Sequence, residues 1–148
     1  MIGGCAVGAY ARLLGETILS TDLELLLTRR GLELVIDESE ALGLRVESLA
    51  TAWQVPVTVL RWKGREINLL AATDGLAAPD VEARSAREFR LSSDVDVAIL
   101  IVDPFDLLRN KLAVNRPKDL PHIQALRRFL DAEIDLPTGP PRQKTAPQ

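Results

Sequence analysis

The sequence predicts an α/β (α+β) domain, and three observations carry that prediction. Apolar runs of strand length, Leu23–Thr28 and Val95–Val102, alternate with segments of helical pattern. Between them stands "PVTVLRWKGREINLLA", two strand-like runs about a turn at Lys63-Gly64. Near the end, Asp103, Pro104 and Asp106 supply a helix cap, a first-position proline and an acid three residues after the cap.

In chain order, Met1 to Gly4 reads as a strand stub running into a glycine turn. Cys5 to Leu14 fits a helix that Gly15 ends. Leu23 to Thr28 is so nearly apolar that a central place in a sheet is expected. Gly31 to Leu42 reads as a helix, Pro56 to Ala71 as the hairpin, and the polar stretch Thr73 to Arg90 as helix-compatible. After the strand Val95–Val102 comes a helix with Phe105, Leu108 and Leu112 on one face. Asn115 and Arg116 break it, and Pro117 opens another in which Leu120, Ile123, Leu126 and Leu130 share a face. Tyr10, Trp53 and Trp62 read as packing or hairpin residues rather than base-stacking platforms. Residues 1–136 are expected to form one domain, with 137–148, "PTGPPRQKTAPQ", a disordered tail.

Composition narrows the function classes. At 148 residues with 47% hydrophobic and 26% charged residues, the chain can bury a core. A net charge of −3 argues against a general nucleic-acid-coating protein. One cysteine, Cys5, and one histidine, His122, exclude an internal disulfide and argue against a structural zinc site. There is no basic, apolar leader at the start and no run of about 18 apolar residues. A cytoplasmic protein without a membrane partner is expected.

Three features bear on chemistry. The first is "STDLELLL", Ser20 to Leu27. On a strand, Asp22 and Glu24 point one way and Leu23, Leu25 and Leu27 the other. Two converging carboxylates repel unless a cation sits between them, and magnesium suits one or two carboxylates, waters and phosphate oxygens. The same spacing also fits a strand whose first half faces water. The second is Gly3-Gly4, where a glycine turn lets backbone N–H groups and a positive helix end approach a phosphate, or simply makes a tight turn. The third is the segment from Arg109 to Arg128, which carries +5 in a chain of −3 and leaves −8 elsewhere. It reads as an anion-binding side or as a solvated helix face. Lys111, four after Leu107 and three after Leu108, stands at the edge of an apolar face, where a lysine snorkels to water or reaches a phosphate.

"GGCAVGAYARLLGETILSTDLELLL" resembles the opening of the nucleotidyltransferase-like fold, in the branch of small enzymes related to type IV abortive-infection toxins. That branch carries a glycine turn, a helix, a Ser or Thr and then an acid pair, here Gly3, Gly4, Ser20, Asp22 and Glu24. "DPFDLLRNKLAVNRPKDLPHIQAL" is similar to its downstream segment, through Lys111, Arg116, Lys118 and Asp119. The resemblance covers most of residues 1–130. It implies a mixed sheet with flanking helices and a helical C-terminal segment. It also implies Mg2+-dependent transfer of a nucleoside monophosphate from a nucleoside triphosphate (NTP) to an RNA or protein acceptor, such as a tRNA end, in a toxin–antitoxin setting. Asp22 and Glu24 would hold the metal. Gly3, Gly4 and Ser20 would shape the phosphate site, and Lys111 and Arg116 would grip the triphosphate. Asp119 would hold the basic side chains or act on the acceptor.

The chain departs from the pattern in two places. The resemblance implies a third carboxylate on a neighbouring strand, and "EINLLA" has Asn68 there. An amide can ligate a metal through its oxygen but is a poor base. Glu66 and Asp74 are the nearby acids that could stand in, and a catalytically degenerate nucleotide- or protein-binding module is the alternative. "MIGG" also leaves almost no first strand. A shortened or misplaced start would bare a sheet edge, inviting an antitoxin or a homodimer contact. Cys5, where some members have a serine, reads as a small buried residue, and His122 as a helix-surface residue rather than a base.

Overall fold

A computed structural model describes residues 1–49, 57–77, 86–92 and 95–132, with side chains for all of these except 77 and 86–98. Helix α1 (Gly3–Leu13) leads to strand β1 (Asp22–Leu26), helix α2 (Arg29–Asp37) and strand β2 (Arg45–Ser48). Strands β3 (Val57–Trp62) and β4 (Arg65–Leu70) make a hairpin, followed by the two-residue strands β5 (Ala72–Thr73) and β6 (Leu76–Ala77). Strands β7 (Ala86–Ser92) and β8 (Val95–Val102) precede helix α3 (Pro104–Val114), a 3₁₀ turn (Pro117–Asp119) and helix α4 (Leu120–Asp131).

The fold is α+β, as expected. Its main sheet has the order β1-β4-β3-β2, with β1 and β4 parallel and the other pairs antiparallel. The β3–β4 turn is Lys63-Gly64, both at positive φ (48° and 79°), as a two-residue hairpin requires.

Strand β1 lies at the end of the sheet rather than at its centre. Its apolar run serves one face only, because Asp22 and Glu24 occupy the other. The N-terminal stub covers part of its outer edge. The Ile2 amide donates to the Glu24 carbonyl (3.0 Å), the Met1 ammonium to the Leu100 carbonyl (2.6 Å), and the Val102 amide to the Met1 carbonyl (3.1 Å). Two residues thus link β1 to the end of β8.

Elsewhere the structure departs from the local signals. Thr28 caps α2 by accepting from the Gly31 amide (3.1 Å), so this helix starts at Arg29 and stops at Asp37, short of Leu42. Strand β2, polar and largely exposed, carries no apolar alternation by which to read it. The helix-compatible stretch Thr73–Arg90 is not a helix where it is described: it turns at Asp74-Gly75 between β5 and β6 and ends in β7. Its residues 78–85, like Trp53 and the tail 137–148, lie outside the described residues.

Helices α1, α3 and α4 pack together around Val7, Tyr10, Leu107, Leu126 and Phe129, with Ile2, Leu70 and Ile101 completing the core. The Tyr10 hydroxyl donates to the buried Val102 carbonyl (2.8 Å), and its ring lies 4.9 Å from that of Phe129. The face of α3 that turns inward is Pro104, Leu107, Asn110 and Lys111. Phe105 and Leu112, expected inside, are 67% and 46% exposed. On α4 the buried residues are Ile123, Ala125, Leu126 and Phe129, while Leu120 faces water. Among the described residues no helix is long and apolar enough to cross a membrane.

Leu107→Ala should cost about 2–5 kcal/mol and Tyr10→Phe about 1 kcal/mol in denaturant unfolding, the first by leaving a cavity, the second by losing the bond to Val102. Phe105→Ala, on the exposed face, should change stability by less than about 0.5 kcal/mol.

Candidate functional site

Gly3 and Gly4 lie within the first turn of α1 rather than in a turn ahead of it; the cap position is Ile2, which has no capping side chain. Gly3 must be glycine, and a side chain on Gly4 would have to displace Ser20. Gly3 has φ +71°, and a Cβ there would overlap the Glu24 carboxylate. A Cβ on Gly4 would fall 2.7 Å from Ser20 Oγ and 3.5 Å from His122 Cε1. The N-terminal end of α1 therefore carries Glu24, Ser20 and His122 against its backbone.

The parallel register of β1 and β4 sets Asp22 beside Glu66 and Glu24 beside Asn68, all four on one face. The Asn68 amide Nδ2 donates to Asp22 Oδ2 (3.3 Å) and Glu66 Oε1 (3.1 Å). Ser20 Oγ lies 2.9 Å from Asp22 Oδ1 and 3.1 Å from the Asp22 carbonyl, and Cys5 Sγ donates to that carbonyl (3.2 Å). Burial, with Asp22 and Glu24, raises the Cys5 thiol pKa against the Ser20 hydrogen bond, so Cys5 stays protonated. The Glu24 carboxylate makes no hydrogen bond or ion pair among the described residues.

The second half of the site comes from the far end of the chain. Asp119 is fully buried. It accepts from Lys111 Nζ (3.1 Å), from Arg116 Nε (2.7 Å) and from the other arm of the Arg116 guanidinium (3.3 Å). Burial alone would raise the Asp119 carboxyl, but Arg116 and Lys111 outweigh it and hold the group at about 2. Lys111, expected at an edge, is 2% exposed. Arg116 spends two of its five donors on Asp119 and stays partly exposed with the rest. His122 is not a free surface residue: its Nδ1 is buried 3.4 Å from Asp119 Oδ1 without a well-formed hydrogen bond. Burial and the Lys111 charge lower its pKa below the usual histidine value, leaving it neutral at pH 7.

These two halves face each other across a cleft of about 270 Å³. Gly4, Ser20, Asp22, Glu24, Lys111, Arg116 and Asp119 all line it, and Lys118 and His122 join them. Gly3 and Asn68 do not line it; each lies one contact behind, under Glu24 and beside Asp22. A second cleft of about 470 Å³ opens on the hairpin side, lined by Thr21, Asp22, Arg61, Gly64, Arg65, Glu66 and Lys118. Asp74 lines neither; its carbonyl is held by the Asn110 side chain (2.8 Å) against α3.

No protein-family model matches the chain, and no curated protein matches it. The site's own chemistry therefore carries its reading. Among the described residues no group of three or more His, Cys, Asp or Glu is arranged to hold a metal. Asp22 and Glu24 supply two carboxylates, which suits magnesium arriving with phosphate oxygens and water rather than a fully protein-bound metal. Sequence reasoning missed His122 as a wall of the cleft, although its place three after Asp119 puts both on one side of the helix.

Asp119→Asn should destabilise the protein by about 3–5 kcal/mol, because it strands the buried Lys111 charge. Since the folded carboxyl is depressed to about 2, its contribution is complete above about pH 4 and is lost as pH falls through 2. Unfolding followed from pH 7 to pH 2 should show the wild type losing about 2 kcal/mol that the asparagine variant does not lose.

Proposed function

We propose that this protein is a magnesium-dependent nucleotidyltransferase, moving a nucleoside monophosphate from an NTP to an RNA or protein hydroxyl, and that it works in the cytoplasm. The observation that supports the reading is the meeting, in one cleft, of Asp22 and Glu24 with the Lys111–Arg116–Asp119 cluster from about 90 residues later in the chain. An anionic triphosphate needs both: cations to bind its oxygens and carboxylates to hold the metal that travels with it. Magnesium, when bound, neutralises developing charge and aligns attacking and leaving oxygens.

The chain's own groups divide the work. Arg116 offers its remaining donors to phosphate oxygens, in the forked geometry guanidinium favours. Lys111 supplies charge from beneath while Asp119 fixes its position. Gly4 and Ser20 let phosphate approach the start of α1. The acceptor oxygen bonds to the α-phosphorus as the bond to the bridging oxygen breaks, and pyrophosphate leaves. Glu66, beside Asp22, is the acid placed to take the hydroxyl proton; Asp74 is not.

A second reading is favoured by one observation. The Asn68 NH2 already satisfies Asp22 and Glu66 in the way a cation would. A degenerate nucleotide- or protein-binding module would keep that arrangement permanently.

Thermal unfolding with each of the four ribonucleoside triphosphates tests both readings. With Mg2+ and the right triphosphate at about 100 times its dissociation constant, stability should rise by about 2.7 kcal/mol. Mg2+ alone should give no rise, and Asp22→Asn should abolish it. No shift with any triphosphate removes the nucleotide reading. Glu66→Gln should keep the shift while slowing transfer roughly 10²–10⁴-fold. Asn68→Asp should keep or raise transfer in an enzyme and leave a degenerate module inactive.

A further inference from the structure

We infer that the cleft between β1 and the Lys111–Arg116–Asp119 cluster binds a phosphate-class anion without a metal when His122 is protonated, so that proton and anion bind together, whether or not a transfer step follows. The geometry that carries this is the seat of the His122 ring. A Cβ on Gly4 would fall 3.5 Å from its Cε1, and its Nδ1 is buried 3.4 Å from Asp119 Oδ1 without a hydrogen bond. A neutral imidazole carries one N–H and a protonated one carries two. Protonation therefore sets an N–H at Nδ1 against a buried carboxylate, whichever nitrogen held the hydrogen before.

That N–H is a third donor to one oxygen. Asp119 Oδ1 already accepts from Lys111 Nζ (3.1 Å) and one arm of Arg116 (3.3 Å), while Oδ2 keeps Arg116 Nε (2.7 Å). Sharing Oδ1 with the imidazolium leaves less of the Lys111 and Arg116 charge spent on Asp119 and more of it open to an anion in the cleft.

The charged groups around His122 come from several elements. Lys111 belongs to α3, Arg116 to the loop after it, and Lys118 and Asp119 to the 3₁₀ turn; Asp22 and Glu24 face them from β1, and α1 presents the Gly4 backbone. These six charges cancel, so the cleft is neutral while His122 is neutral and +1 when it is protonated. Burial and then the Lys111 charge oppose the proton, and Asp119 favours it. An anion in the cleft is a second group that favours it. The coupling is reciprocal: the anion raises the affinity of His122 for a proton, and the proton raises the affinity of the cleft for the anion by the same factor. Anion binding is therefore weak at pH 8 and strengthens as pH falls through the histidine range.

The test is binding of sulfate, a tetrahedral dianion whose own charge does not change between pH 8 and pH 5. Its affinity is measured by calorimetry at constant ionic strength, without metal. The wild type should bind sulfate more tightly as pH falls, approaching roughly tenfold per pH unit where one proton enters with each anion. His122→Gln should lose that rise between pH 8 and pH 6. His122 is the chain's one histidine, so its ring NMR signals report it in the unaltered protein. Its midpoint should lie below 6.5 without sulfate and climb when sulfate saturates the cleft. A sulfate affinity that is flat from pH 8 to pH 5, a His122 midpoint that sulfate does not move, or a full rise retained in His122→Gln would each overturn the inference. A sulfate-linked midpoint in a protein that no Mg2+-triphosphate stabilises would leave the proton-coupled anion site standing and remove the transferase reading instead.

Discussion

The charge of Asp119 is buried between Lys111 and Arg116, and the candidate site depends on that arrangement. A carboxylate taken out of water costs several kcal/mol unless cations and hydrogen bonds replace its hydration. Here one cation comes from α3, the other from the loop after it, and the acid itself from the 3₁₀ turn before α4. The three groups therefore fix how α3 and α4 meet. Their requirement also decides which side of α3 faces inward. Lys111 must point toward Asp119, and Pro104 and Leu107, seven and four residues before it, share its side of the helix. Phe105 and Leu112 are left outside while Asn110 and Lys111 are buried. The buried ion pair and the core residue Leu107 share one side of the helix and set its rotation together.

The same cluster leaves the cleft electrically balanced. Lys111, Arg116 and Lys118 face Asp22, Glu24 and Asp119, while His122 is neutral. Three positive and three negative charges give no net pull on a free triphosphate. A ligand that brought its own divalent cation would change that balance, because two carboxylates suit such an ion and the basic wall would be left for phosphate oxygens. The carboxylate of Glu24, seated on Gly3 at the positive end of α1, sits where a phosphate would also be favoured. Carboxylate and phosphate can share that end only if a cation lies between them.

Much of this was legible locally and little of it globally. The acid pair, the hairpin turn, the cap at Asp103 and the break at Asn115 are short-range features, set by backbone sterics and capping chemistry, and the structure keeps them. Asn115 adopts the left-handed conformation that ends α3. What a linear reading could not supply was pairing. The outer edge of β1 is covered by a bond between Ile2 and Glu24 and by the approach of residues 100–102 to Met1. His122 reads as a helix-surface residue, yet its Nδ1 is buried beside Asp119 and its ring lies against Gly4, a residue 118 positions earlier, which only tertiary contact can bring there. The Asp74-Gly75 turn was a readable signal that an otherwise helix-compatible composition obscured.

Asn68 shows how so acidic a face can fold without a metal. Asp22, Glu24, Glu66 and the side chain at position 68 share one face of two paired strands. A carboxylate at position 68 would make four acids on that face, and like charges so placed destabilise a sheet unless a cation joins them. The amide removes one of those charges and donates to two of the remaining acids, so the strands pair without a metal. Turning the amide over would present its oxygen instead, leaving Asp22 with Ser20 and Glu66 with Arg61 as their remaining donors. That exchange is favourable only when a cation arrives to replace it. The amide at position 68 thus removes the need for a cation on this face, at the expense of a charged base beside the acid pair.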